Sequence, residues 1–187
     1  MPRIFDILIA GLALAILSPV LLLAAIAIKL TSRGPVIYRQ RRVGLGDREF
    51  EMWKLRTMVQ GSDPVGVGKV VYRDDSRVTG PGRLLRRTSL DEIPNLLNVL
   101  RGEMAIVGPR ATLKAQVDDY TPRQKRRHEV LPGITGWAQV QGRAGIPWEE
   151  RIELDLWYVD HRSFALDARI LLKTLWLVVT GQGLAPD

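Results

Sequence analysis

Cysteine is absent from the chain, and histidine nearly so, with two residues in 187. Without thiols there is no disulfide framework, no thiolate nucleophile and no thiolate metal site, a composition suited to a reducing compartment. His128 sits in a basic run and His161 near a predicted turn, and neither has a companion at ligand spacing, which argues against a histidine-built metal centre. Internal repeats and low-complexity tracts are also missing. Gly66-Val67-Gly68-Lys69 lacks the other glycines and the Lys-Ser/Thr pair of a phosphate-binding loop or dinucleotide fingerprint. What remains for chemistry is carboxylate and guanidinium: 20 acidic residues stand against 27 basic ones, a formal net charge of +7. That excess points to an anionic partner, whether nucleic acid, an acidic membrane surface or a phosphorylated substrate. The length suits one domain with a real core plus an appendage.

No charged residue occurs from Ile7 to Ile28, a run long enough to cross a bilayer as a helix of about 20 residues. Ser18-Pro19 lies at its middle, where proline removes a helix hydrogen bond and serine can re-satisfy the freed carbonyl. Basic residues flank both sides: Arg3 before, and Lys29, Arg33, Arg39, Arg41 and Arg42 after. The positive-inside rule therefore keeps both ends on the cytoplasmic side. A re-entrant helix-break-helix that dips into one leaflet and returns fits both facts best. A single kinked span and a cleaved signal peptide, the latter through Ala25-Ile26-Ala27, are the other two readings. The expected division is a membrane-associated segment over residues 1–33 and a catalytic domain over 34–187.

After a turn at Ser32-Arg33-Gly34-Pro35, two strand-like pieces, Val36 to Arg39 and Glu49 to Leu55, flank Gly44-Leu45-Gly46-Asp47 and predict a hairpin. Phe50, Met52 and Lys54 alternate with Glu51 and Trp53, so one face can pack, and Lys54 and Arg56 near its end are either surface charge or phosphate contacts. Residues 60–82 are Gly-, Asp- and Val-rich with weak periodicity and read as a mobile loop. Thr79-Gly80-Pro81 then opens a short helix. The stretch from Arg83 to Arg110 carries the strongest chemical signal, because adjacent carboxylates, Asp91 and Glu92, stand between basic clusters. Pro94 is tolerated only in a first helical turn, which predicts Asp91 as N-cap and Leu96, Leu97, Val99 and Leu100 as the buried face. That helix N-terminus, with Arg83, Arg86 and Arg87 upstream, would suit a phosphate. Gly102 ends the helix, Met104 to Val107 predicts a short strand, and Gly108-Pro109-Arg110 a turn. Thr121-Pro122 opens a basic helix with Arg123, Lys125, Arg126 and Arg127, which either meets anionic headgroups or is solvated. From Pro147 a helix carries Trp148, Ile152 and Leu156, with Asp155 and Tyr158 alongside. A last helix, opened near Asp167, is apolar enough to lie in a membrane interface or a core.

Taken in order, Ser18-Pro19, Lys54-Leu55-Arg56-Thr57-Met58, Arg83 to Pro94, Met104 to Arg110 and Gly133 to Arg143 resemble the bacterial sugar transferase family, the monotopic phosphoglycosyl transferases, in minimal catalytic-core form. The resemblance implies an α+β, mostly helical fold: a re-entrant anchor, a short β-hairpin, and amphipathic interfacial helices around a small catalytic domain. It implies transfer of a sugar 1-phosphate from a UDP-sugar to undecaprenyl phosphate with release of UMP, as a first membrane step of glycan assembly. Asp91 would be the covalent nucleophile and Glu92 its partner, the two holding Mg²⁺. Lys54, Arg56, Arg86, Arg87, Pro109, Arg110 and Arg143 would be phosphate or nucleotide ligands. The expected place is the cytoplasmic face of the bacterial inner membrane, among its lipids, with no nucleic acid as partner. Two motifs depart from the family: its Pro-Arg-Pro is Pro109-Arg110-Ala111 here, and its Val-Asn-Gly-Arg is Val140-Gln141-Gly142-Arg143. The alternative from another class is a membrane-anchored basic binding protein without catalysis.

Overall fold

The computed structural model describes residues 1–62, 75–142 and 145–180. Gly66 to Lys69, most of the 60–82 loop and Arg143 lie outside the described residues.

Residues Arg3–Thr31 form one α-helix, α1, about 43 Å long at 1.5 Å per residue. The expected break is not an interruption, because Pro19 sits inside continuous helix. The reason is atomic. Pro19 offers no N–H to Ala15 O, and the Ser18 hydroxyl donates to that same carbonyl at 2.8 Å. Only Asp6, Ala10 and Ile28 of α1 are buried, whereas Leu8, Leu12, Ile16, Leu22 and Leu23 are exposed. Among the described residues, α1 is the helix long and apolar enough to cross a membrane.

Both ends of α1 are tied to the rest of the chain. Arg3 Nη1 donates to Met104 O at 2.9 Å, Arg3 Nη2 donates to Val99 O, and Asp6 Oδ1 accepts from Ile106 N at 2.9 Å. At the far end Arg56 Nη2 donates to Ser32 O at 2.9 Å.

The hairpin forms from β1, Ile37–Val43, and β2, Glu49–Leu55, which pair antiparallel. β1 runs four residues past its expected end because the ladder continues to Val43 opposite Glu49. Tyr38, Gln40 and Arg42 stand across from Lys54, Met52 and Phe50. Met52 is buried, so this shared face meets the interior.

α2, Gly80–Arg87, opens as expected, with Thr79 Oγ1 accepting from Gly82 N at 3.1 Å. A 3-10 turn, Leu90–Glu92, leads into α3, Asn95–Arg101, which ends at Gly102 with φ +86°. Pro94 thus takes the N-cap position, and Asp91 does not.

β3, Ala105–Val107, pairs parallel with β4, Gly133–Thr135. The sequence gives no sign of that pairing, although Gly133 makes it possible: a Cβ there would lie 2.1 Å from Gly108 N. Between these strands come α4, Lys114–Val117, and α5, Pro122–Lys125. α5 is only four residues long and passes into a 3-10 turn at Arg126–Glu129.

α6, Trp137–Gly142, α7, Trp148–His161, and α8, Phe164–Thr180, complete the fold. The core joins Met52, Ile93, Leu96, Val99, Met104, Ile106, Tyr158 and Ile170, and Leu172, Leu175, Trp176 and Val179 of α8 face outward. Asp167 stands in the first turn of α8, as expected; it is buried, accepts from Tyr158 Oη at 2.7 Å and pairs with the amino terminus. The fold is α+β and mostly helical, with the hairpin and the apolar helix in place.

Candidate active site

The carboxylate pair is placed by a chain reversal. α2 ends at Thr88, whose hydroxyl bonds back to Leu84 O at 2.8 Å, and Ser89 then adopts left-handed φ +56°. This conformation is uncommon for serine and turns the chain sharply into Leu90–Glu92. Ile93 and Pro94 plug the interior behind the turn, leaving Asp91 and Glu92 at its mouth.

Glu92 is fastened on two sides. Lys54 Nζ donates to Oε1 at 2.7 Å, and Arg110 Nη2 reaches the same oxygen at 2.6 Å. Burial alone would push Glu92 up, but the Arg110 and Lys54 charges together hold it well below the usual carboxylate range. Asp91, by contrast, has no hydrogen bond or ion pair to another side chain among the described residues. Burial, then the charge of Glu92, pushes its carboxyl up to about 6. One carboxylate is satisfied and the other is kept in reserve.

The cations around Asp91 differ in commitment. Arg86 Nε donates to Thr57 Oγ1 at 2.8 Å and its charge acts on Asp91. Arg42, absent from the sequence-based set, lines the same wall with Nη2 on Gln40 Oε1 at 2.6 Å. Burial and the like charge of Arg110 lower it to about 10, so it stays cationic at neutral pH. Strand alternation extended along β1 would have found it, since Arg42 shares a face with Tyr38 and Gln40.

Arg56 lines the cavity, but both its terminal nitrogens are bound at the end of α1, on Ser32 and Arg33. It acts as a fastener. Arg87 is exposed and is not brought to the wall. Pro109 is buried with its carbonyl accepting from Gly133 N at 2.9 Å, so it shapes the turn that carries Arg110.

These groups line a cavity of about 1540 Å³ that continues past Arg110 to Arg127, Trp148, Arg151 and Asp155, and past Gln139 to Thr174 of α8. Asn98 sets its frame: Nδ2 donates to Glu51 O at 2.6 Å and Glu103 Oε2 at 2.7 Å, while Oδ1 accepts from Trp53 N at 3.1 Å. α3 and β2 are thereby held together, which fixes Lys54 against Glu92. Among the described residues no group of three or more His, Asp or Glu side chains converges.

In the basic run Arg123 and Lys125 are exposed, as the solvated reading expects, while Arg127 is buried. Arg123 pairs with Glu153 at 2.5 Å, Arg126 with Asp160 at 2.5 Å, and buried Arg127 with buried Asp155.

The bacterial sugar transferase family model matches residues 1–181, a span that contains the whole of this site. The chain belongs to the bacterial sugar transferase family. It is 44% identical over 182 residues to the uncharacterized sugar transferase EpsL of Bacillus subtilis, covering 97% of this chain and 89% of the relative. It is 45% identical over 186 residues to the UDP-glucose:undecaprenyl-phosphate glucose-1-phosphate transferase of Caulobacter vibrioides, covering 95% and 69%. With the UDP-N-acetylgalactosamine-undecaprenyl-phosphate N-acetylgalactosaminephosphotransferase of Aeromonas hydrophila it shares 41% over 187 residues, 97% of this family member but 44% of the longer relative.

Proposed function

We propose that this sugar transferase moves a sugar 1-phosphate from a UDP-sugar to undecaprenyl phosphate, with Asp91 as covalent nucleophile. The observation that carries the reading is the unpartnered Asp91 carboxylate beside a Glu92 already neutralised by Lys54 and Arg110. Raised to about 6, Asp91 remains mostly ionised at neutral pH yet is more basic than an ordinary aspartate, which favours attack on phosphorus. An Asp91 oxygen attacks the β-phosphorus, the bond from that phosphorus to the bridging oxygen breaks, and UMP leaves with the electron pair. An oxygen of undecaprenyl phosphate then attacks the phosphorus of the acyl phosphate and restores Asp91. Arg42, Arg86 and Arg110 lower the cost of bringing an anionic nucleophile to a diphosphate.

Mg²⁺ fits this donor set. Magnesium takes hard oxygens, one or two from carboxylates and the rest from water and substrate phosphates, and Asp91 has an open carboxylate beside Glu92. These two residues would hold the ion, which would neutralise charge on the diphosphate.

The exposed apolar surface of α1 supports membrane association. On this proposal the chain sits at the cytoplasmic face, by the charge of its flanks, with α1 dipping into one leaflet at Pro19 and α8 along the interface. In that position a nucleotide from water and a polyprenyl phosphate from lipid reach one carboxylate.

The test uses detergent-solubilised protein, undecaprenyl phosphate, Mg²⁺ and a panel of UDP-sugars, with UMP and UDP assayed separately. UMP release by the unmutated protein, absent from Asp91→Asn, is expected. UDP release would mean sugar transfer without phosphate and would sink the proposal.

A further inference from the structure

The cavity has a second polar part that the phosphate chemistry leaves unused. Arg127 Nη2 donates to Arg110 O at 3.0 Å and also to Asp155, while the Arg110 guanidinium reaches Glu92. One arginine side chain thus separates the two parts. In the second, Thr112 and Asp155 are each 2% exposed, and both line the cavity with Gln139 and Trp148. Thr112 Oγ1, Asp155 Oδ1, and both Oε1 and Nε2 of Gln139 are buried with no hydrogen-bond partner. Buried polar groups are almost always satisfied, so each orphan calls for a partner. All three residues line one cavity and carry unmet hydrogen-bonding capacity, which suits them to a ligand.

The chemistry of the orphans selects the ligand. A buried carboxylate oxygen repels phosphate and accepts O–H or N–H, while a threonine hydroxyl and a carboxamide can each donate and accept. Trp148 adds an aromatic wall. We propose that Thr112, Gln139 and Asp155 form a subsite for an uncharged, hydrogen-bond-donating ring of the nucleotide-sugar donor, whose diphosphate lies at Asp91. The ring comes either from the nucleoside or from the sugar, and the subsite rests on the transferase reading above.

Binding separates this subsite from catalysis. UDP-glucose, UMP, glucose 1-phosphate and pyrophosphate are titrated calorimetrically into the full chain in detergent with Mg²⁺, for the unmutated protein, Thr112→Val, Gln139→Met and Asp155→Asn. Thr112→Val and Gln139→Met each weaken UDP-glucose about three- to tenfold, and Asp155→Asn more than tenfold, with pyrophosphate changed less than about twofold. Parallel loss of UMP assigns the nucleoside ring, and parallel loss of glucose 1-phosphate assigns the sugar. Thr112→Val and Gln139→Met melt no lower than the parent, because the groups they remove have no protein partner. Unchanged UDP-glucose affinity in all three variants, or pyrophosphate falling in step, would overturn the subsite. If the unmutated protein binds none of the nucleotides, the transferase reading falls and the subsite with it.

Discussion

Around the Leu90–Glu92 turn cations outnumber carboxylates and Asp91 is left without a partner, whereas along α7 every arginine from 123 to 127 has a carboxylate of its own. Both regions are arginine-rich and lie in one small molecule. The difference lies in where neutralisation stops. At the α7 seam those three arginines are neutralised inside the chain, which makes a joint. At the turn it is incomplete, which on the proposed function leaves charge for an incoming diphosphate.

Substitutions on each side should fail in different ways. Asp91→Asn should cut UMP release at least about a thousandfold, since it removes the proposed nucleophile. Breaking the joint should cost structure instead: Arg127→Met leaves Asp155 buried and unpaired, and should lower stability by about 3–5 kcal/mol in chemical denaturation. Lys54→Met frees Glu92 and removes a cation from the site. A loss of about 10- to 100-fold in kcat/KM with little change in melting is expected; a collapse of melting instead would make Lys54 a structural residue and blur the contrast.

A smaller effect tests the reserve carboxylate itself. Carboxyl NMR of metal-free protein should place the Asp91 midpoint near 6, and Glu92→Gln should move it down by removing the like charge. Because the folded value lies above the ordinary one, ionised Asp91 opposes folding, and this cost appears as pH rises from about 4 through 6. Asp91→Asn should therefore be more stable than the parent at pH 8, by about 3 kcal/mol, and show no gain at pH 3. Smallest of all, Arg123→Ala removes an exposed pair and should change stability by less than about 1 kcal/mol, with activity within twofold.

Much of this was legible where a local rule decides the outcome. Alternation along β2 put Met52 and Lys54 on the buried face, Thr79 announced α2, Gly102 closed α3, and the α7 spacing named Ile152, Asp155 and Leu156. The Asp91 cap failed because a 3-10 turn carries no periodic signature and Ser89 supplies the bend at positive φ, a geometry sequence usually assigns to glycine. Parallel pairing of β3 with β4 escaped notice since its partners are separated by 28 residues, as in Ala105 and Gly133. The fate of the arginines depended on acids 28 to 34 positions away on α7, which no window around them contains.

The stapling of α1 at both ends has a mechanical consequence. A rod pinned at two points cannot pivot on the body that holds it, so any tilt imposed on α1 is also a tilt of the Leu90–Glu92 turn. On the proposed membrane placement, hydrocarbon thickness becomes a setting of the catalytic centre, much as the length of a stilt sets the height of whoever stands on it.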